Sequence, residues 1–400
     1  MINQEEILVP QPRLGTTVYV TTLIIMMTVQ WMTLDMYLPA LPVLKTQFGA
    51  SEALLNISLN SDLFACAIGT LIGGTISDKY GRNPIMIIGL ILAGVPLLAA
   101  GFSQGVWFLT IMRGLSGLGG GFALTVAAAI VRDSFKGRTF QLVTTLTQAA
   151  AVIGPLFAPA IGAFLIEYLS WRWIFFLEAG AILLTLIPFF IAAETWPKEK
   201  RQVDNVLQAT IQAFDIARNS KYLCFIGWAM ILTIPLWAYI GVCSYVYYEY
   251  FGVSNLQYAI LYAAGTLVSF SAPFLYMFLT KATDTKKTAV IAILMTGVAA
   301  ILFGTIGHVS PVLFLVAMVP VYLVEGIVRT LGTVEVLNRY HEEAGSASAV
   351  NGFALLIISV PGTAIATIGW SSFITGIAVI TGACAVCAAL LWIHGRKFVE

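Results

Sequence analysis

The sequence predicts an all-α integral membrane protein: twelve transmembrane helices in two six-helix halves, with both the N and C termini cytoplasmic. Three observations predict it. The 400 residues are 59% hydrophobic and only 10% charged, against roughly 25% charged in a soluble domain. The apolar residues gather into runs near twenty long, the length that crosses a bilayer's hydrocarbon core. Of the 21 Lys and Arg residues, seventeen fall in connections on the side of residue 1 and two, Lys45 and Arg172, on the other. That bias places both termini inside.

The runs, in order, cover 16–44, 54–77, 84–102, 106–131, 140–166, 172–193, 222–247, 257–280, 287–306, 311–334, 347–369 and 371–393. The last two are split only near Gly369-Trp370. The longest polar interval runs from Glu194 to Lys221, and part of it has the pattern of an amphipathic surface helix. It divides the chain into an N-terminal half (1–193), a cytoplasmic linker (194–221) and a C-terminal half (222–400). The first fifteen residues carry two acids and two prolines ahead of a run too long for a signal peptide's apolar core. All five cysteines lie in spans, and Cys384 and Cys387 read as packing residues rather than a redox pair. A net charge of +1 gives no basic field for nucleic acid.

The stretch Gly73-Gly74-Thr75-Ile76-Ser77-Asp78-Lys79-Tyr80-Gly81-Arg82-Asn83-Pro84 joins spans 2 and 3. Gly74 allows close helix approach, and Gly81 supplies a turn conformation barred to bulky residues. Asp78 is expected opposite the positive end of a partner helix, and Asn83-Pro84 reads as N-cap plus first helical residue. The bland reading is a generic inside loop. The spacing of Gly74, Asp78, Gly81 and Arg82 resembles the signature of the major facilitator superfamily, which has a second basic residue where Asn83 stands. The resemblance implies two halves related by an axis along the membrane normal, with substrate bound between them near mid-depth. The corresponding turn in the second half, residues 280–287, keeps the charges and loses the glycine spacing.

Two further stretches narrow the resemblance. Asp35-Met36-Tyr37-Leu38-Pro39-Ala40-Leu41-Pro42, ending span 1, is similar to a segment of drug/proton antiporters of the bicyclomycin/chloramphenicol-resistance type. Gly154-Pro155-Leu156-Phe157-Ala158-Pro159-Ala160-Ile161-Gly162, in span 5, resembles the Gly-Pro antiporter motif of that group. Pro155 and Pro159 are four apart, so their kinks open toward one face. Gly154 and Gly162 are expected to permit close packing at the seam between the halves. The competing reading is a kinked packing helix.

Charges within the bilayer are costly and usually functional. Asp35, Asp62, Arg113 and Glu178, from spans 1, 2, 4 and 6, fall at similar depth in the outer third. Asp35 is the first choice for proton carrier, against a helix-end acid wetted by outer solvent. Arg113 begins Arg-Gly-Leu-Ser-Gly-Leu-Gly, similar to the family's span 4 motif, which implies proton coupling. Arg does not deprotonate, so it acts on a neighbouring acid, unless it is a structural partner of Asp35 or Asp62. Asp62 and Glu178 are candidates for a second titrating group; Glu178, in a span usually peripheral in this fold, otherwise reads as a snorkelling acid. In the second half Glu325 and Arg329 are four apart, as for an intrahelical pair, and Glu335 and Arg339 repeat the pattern near the span's end. Trp31, Tyr37, Trp237, Tyr239 and Glu325, with Asp35, are the candidate substrate contacts, an aromatic wall suited to lipophilic or cationic compounds.

No hydrolytic or redox constellation and no Gly-rich phosphate loop is present, so no enzyme, metal or cofactor is expected. The reading is a monomeric, proton-coupled multidrug efflux antiporter of a bacterial inner membrane. Its expected partners are small drugs, protons and the lipid bilayer. The alternatives are a proton-driven transporter of one metabolite with the same fold, and a non-transporting membrane receptor or enzyme.

Overall fold

The computed structural model describes residues 4–201, 227–282, 284–339 and 344–395. The linker helix expected within 202–221, Cys224 and the side chains of Glu335 and Arg339 lie outside the described residues. Those described are helical, with no β-strand; one isolated bridge joins Ile7 to Phe135. The first six spans are α1 (Thr16–Asp35), α3 (Glu52–Tyr80), α4 (Arg82–Ala100), α5 (Val106–Ser134), α6 (Gly137–Tyr168) and α7 (Arg172–Phe189), with a short α2 (Leu41–Phe48) after the first. The later ones are α8 (Ile234–Tyr245), α9 (Asn255–Ala282), α10 (Thr285–Thr305), α11 (Pro311–Arg339), α12 (Ala344–Ile357), α13 (Ser359–Ala366) and α14 (Phe373–Gly395).

Among the described residues, eleven helices are long and apolar enough to cross a membrane, and a twelfth, shorter apolar stretch covers Val350–Ala366. The eleventh expected span is therefore not one rod. It breaks between Ile357 and Ser359, four residues before Pro361, where the ring would meet the preceding turn and an N–H is missing. Span 7 behaves alike: helical residues stop at Ile231 and restart at Ile234 around Pro235, and the span ends in a π-helical turn, Val246–Tyr250. The split near Gly369 is real, with that glycine at φ +23 between α13 and α14.

Contacts group the chain into two compact units, Met1–Ala40 with Ser61–Gln212 and Leu41–Asn60 with Ala213–Glu400. In the first, α4 packs on α5 and α7, and α1 on α6 and α7. In the second, α10 packs on α14 and α11, α9 on α11, and α8 on α13. The core of the second unit includes Trp228 against Trp392, ring centroids 5.2 Å apart in an edge-to-face pair.

Gly154 and Gly162 permit close helix packing, and the neighbour they meet is α1. A Cβ on Gly154 would come within 2.7 Å of the Thr28 carbonyl oxygen, and one on Gly162 would collide with that of Met36. Both glycines press α6 onto α1 inside the first unit. Pro155 and Pro159 lie within α6, which is helical throughout Gly137–Tyr168.

Candidate functional site

Helix α5 is the organising element of the first unit, because its glycines face three neighbours. A Cβ at Gly117 would collide with the Asp62 carbonyl oxygen, and one at Gly121 with that of Cys66, so α3 rests on α5 backbone to backbone. Gly119 meets the backbone nitrogen of Ala93 on α4, and Gly120 meets the Gln30 side chain of α1. Such small-residue contacts replace the hydrophobic drive that lipid does not supply.

This crossing fixes Arg113, one turn before Gly117. The Arg113 side chain is fully buried, and its guanidinium lies 3.6 Å from the Asp62 carboxylate. The Tyr37 ring lies under it, 4.2 Å from centroid to guanidinium carbon, and Phe175 of α7 packs on Tyr37 at 5.8 Å. Glu178, one turn beyond Phe175 on α7, is 1% exposed; neither carboxyl oxygen has a hydrogen-bond partner among the described residues. Among the described residues, Arg113 and Asp62 are charges within electrostatic reach of it. The structure thus brings together three of the four expected ionisable residues, with Glu178 buried rather than snorkelling. Asp35 is also buried, at the end of α1 two residues before Tyr37. Trp31 is half-buried, whereas Tyr37 is fully enclosed.

A second cluster forms at the 78–82 turn. Gly81 has φ +104, a conformation that favours glycine. Arg82, 1% exposed, contacts Asp78 at 2.6 Å, Asp133 at 2.9 Å and the Ser77 hydroxyl at 2.6 Å. Its guanidinium also lies 4.8 Å above the Trp196 ring. The N-terminus of α4 is capped differently from the expectation: Gly81, not Asn83, precedes the helix. The Arg82 and Asn83 amides donate to the Glu194 carboxylate at 2.9 and 3.2 Å. Asp78 pairs with Arg82, so the acid at a partner helix's positive end is Glu194. Gly74 approaches Thr125 of α5, a Cβ there coming within 3.2 Å of its methyl group.

Sequence reasoning missed Asp133, Glu194 and Trp196. The signal was an acid, or an acid and an indole, at span ends where the inside bias favours bases. Trp196 completes the cluster by donating its indole N–H to the Asp78 carbonyl at 3.0 Å.

In the second unit, Tyr239 is fully buried in edge-to-face contact with Tyr322 at 5.9 Å. Trp237 sits where α8 crosses α13, its Cβ 2.7 Å from the place a Cβ on Gly362 would take. Glu325 and Arg329 form the expected intrahelical pair at 3.6 Å. The turn before α10 keeps one feature of its counterpart: Asp284 caps the helix, accepting from the Lys287 amide at 2.7 Å.

A family profile described as Major Facilitator Superfamily matches residues 23–363. The MFS-type transporter YdgK of Bacillus subtilis (strain 168) is 29% identical over 337 residues, 81% of this chain and 82% of that protein. The multidrug resistance protein MdtL of Salmonella heidelberg (strain SL476) is 31% identical over 247 residues, 60% of this chain and 62% of MdtL. Among solved structures, a mutant of the peptide transporter POT in complex with alafosfalin aligns with TM-score 0.77 at 16% identity, covering 100% of this chain and 99% of that one. A point mutant of the nucleoside transporter NupG aligns at TM-score 0.72 and 14% identity, covering 95% of this chain and 100% of the other. These structural likenesses carry the fold alone.

Proposed function

Since this chain belongs to the major facilitator superfamily and is a multi-pass membrane transporter, we propose that it exports small lipophilic molecules in exchange for protons. The setting is a bacterial cytoplasmic membrane with both termini inside. The observation that carries the coupling is the buried cluster of Arg113, Asp62 and Glu178. One guanidinium balances one carboxylate. The remaining acid of the cluster, Glu178, needs a bound proton to offset its charge in a low-dielectric interior, where an uncompensated ion costs several kcal/mol, and Asp35, buried on α1, is the second proton carrier. Asp62 holds Arg113, Tyr37 supports its face, and Glu178 and Asp35 exchange protons as water enters and leaves by alternating access. The 78–82 turn, clamped by Arg82, is the gating element. The likeness to a protein named for multidrug resistance supports drugs as cargo. One proton crossing 100 mV supplies about 2.3 kcal/mol, roughly a fifty-fold gradient.

The test is transport by protein in proteoliposomes with an imposed pH gradient. Asp35→Asn and Glu178→Gln are expected to abolish uphill accumulation while leaving downhill exchange. Uphill transport at the unsubstituted rate in both variants overturns the coupling scheme. A response to one compound alone across a panel of unrelated drugs points instead to a single-metabolite transporter.

A further inference from the structure

The turn between α5 and α6 gathers exposed positive charge at one point of the first unit. Arg132, whose side chain is 60% exposed, Lys136 and Arg138 all fall within residues 132–138 and are all exposed. The acids beside them are engaged elsewhere. Asp133 meets the Arg82 side chain at 2.9 Å and stands 3.7 Å from that of Arg132, beyond ordinary hydrogen-bond length. Glu6, in the segment before α1, accepts from the Arg138 and Thr139 amides and so fills the N-terminal end of α6; Glu5 is the other carboxylate of that segment. A further anion therefore meets the basic side chains and not the helix end. Apolar surface is uncovered at the same place. Leu8, whose amide is held by the Ser134 carbonyl, is exposed, and so are Leu142 and Leu146, one and two turns beyond Arg138 on the same side of α6. At 1.5 Å per residue the 32 residues of α6 are about 48 Å long, against about 30 Å of hydrocarbon, so the helix overhangs the apolar layer. The cost of a charge in hydrocarbon puts Arg138 at the headgroups and the two leucines at the chains below.

We propose that Lys136 and Arg138, flanked by Arg132, bind the phosphodiester of an anionic phospholipid whose acyl chain lies along Leu142 and Leu146. A guanidinium fork and an ammonium both suit phosphate oxygens, and basic residues next to a span draw anionic headgroups. The apolar strip directly below the charges selects a lipid over a free phosphate. Lys136 and Arg138 are also joined to Glu6 through their own backbone amides, so a lipid held by their side chains steadies the N-terminal segment on α6. The site is independent of which cargo the protein moves.

For the test, purified full-length protein in detergent is titrated with dioleoyl phosphatidylglycerol and with dioleoyl phosphatidylcholine, and bound lipids are counted by native mass spectrometry. One phosphatidylglycerol is expected to bind at least about tenfold more tightly than phosphatidylcholine, since each cation beside an anionic headgroup is worth about fivefold. Lys136→Gln and Arg138→Gln each weaken it about fivefold, and the double variant removes the preference. Arg138→Lys keeps most of it, and Leu142→Asn weakens both lipids. These side chains are exposed, so the variants fold. Lys198→Gln, which removes an exposed cation beyond α7, leaves the preference intact. Equal affinity for the two lipids, or a preference that survives the double variant, overturns the site. A loss in Lys198→Gln as large as that in Arg138→Gln shows a diffuse field and overturns it too. Displacement of phosphatidylglycerol by millimolar glycerol 3-phosphate makes a free phosphate the occupant and overturns the lipid assignment.

Discussion

Single residues in this protein matter through their partners. Arg82 contacts Asp78, Asp133, Ser77 and the Trp196 ring while almost fully buried. A planar fork with several donors is needed for that, and lysine offers only a point charge. Removing one partner of a buried pair leaves the other uncompensated, at a cost of about 3–5 kcal/mol. Arg82→Gln and Asp133→Asn are therefore each expected to lower thermal stability and transport, and the double variant to lose less than their sum. Denaturation measured as a double-mutant cycle should give a coupling of about 1–3 kcal/mol; additivity within about 0.5 kcal/mol would show that the two side chains act separately.

Helices pack here by backbone approach, and a glycine's neighbour decides its importance. Gly117 presses α5 onto the Asp62 carbonyl, whereas Gly180 of α7 has nothing within 4 Å of a built Cβ. Gly117→Ala is expected to cost at least about 2 kcal/mol by overpacking and to separate Arg113 from Asp62. Gly180→Ala should be neutral or gain up to about 1 kcal/mol in helix propensity. Melting temperatures in one detergent compare them directly, and equal effects would contradict the crossing.

The N-terminal segment forms another element-scale device. The Leu8 amide donates to the Ser134 carbonyl at 2.8 Å, and the Thr139 and Arg138 amides donate to the Glu6 carboxylate at 2.7 and 3.2 Å. Gln11 grips Ala193 with both ends of its carboxamide. The segment thereby straps the start of α6 to the end of α7. Thr139, through its side chain and then its amide, holds the Glu6 carboxyl below the ordinary value of 4.5. A depressed folded value means the strap's contribution is full above 4.5 and lost as pH falls through the lower, folded value. A spin label at Leu8→Cys should become mobile as pH drops below that range. Glu6→Gln should loosen it at neutral pH and flatten the response; a pH response unchanged by Glu6→Gln would assign the effect to another group.

At the scale of the whole molecule, α3 is continuous over Glu52–Tyr80, yet its first residues group with the second unit and the rest with the first. Within the second unit, Asn56 donates to the Gly241 carbonyl at 3.0 Å, and the Thr363 hydroxyl donates to Asn60. Lys45 joins Glu52 at 2.6 Å and Glu249 at 2.8 Å. Lys45 is the shared partner of both acids, so Lys45→Ala is expected to lower thermal stability by up to about 1 kcal/mol, the worth of solvent-exposed pairs. An unchanged melting temperature at low salt would show that the pairs contribute nothing.

The sequence by itself determined the membrane class, nearly all the spans, the glycine turn at Gly81 and the candidate charges. Each follows from local chemistry: apolar length, the cost of a buried ion, a backbone angle that side chains resist. Only the tertiary structure decided who meets whom. It set Tyr37 beneath Arg113, turned Gly154 and Gly162 toward α1, and brought Asp133, Glu194 and Trp196 to Arg82. Helical periodicity gives a residue a face, but which neighbour occupies that face depends on how all the helices pack together, and no local spacing encodes that choice.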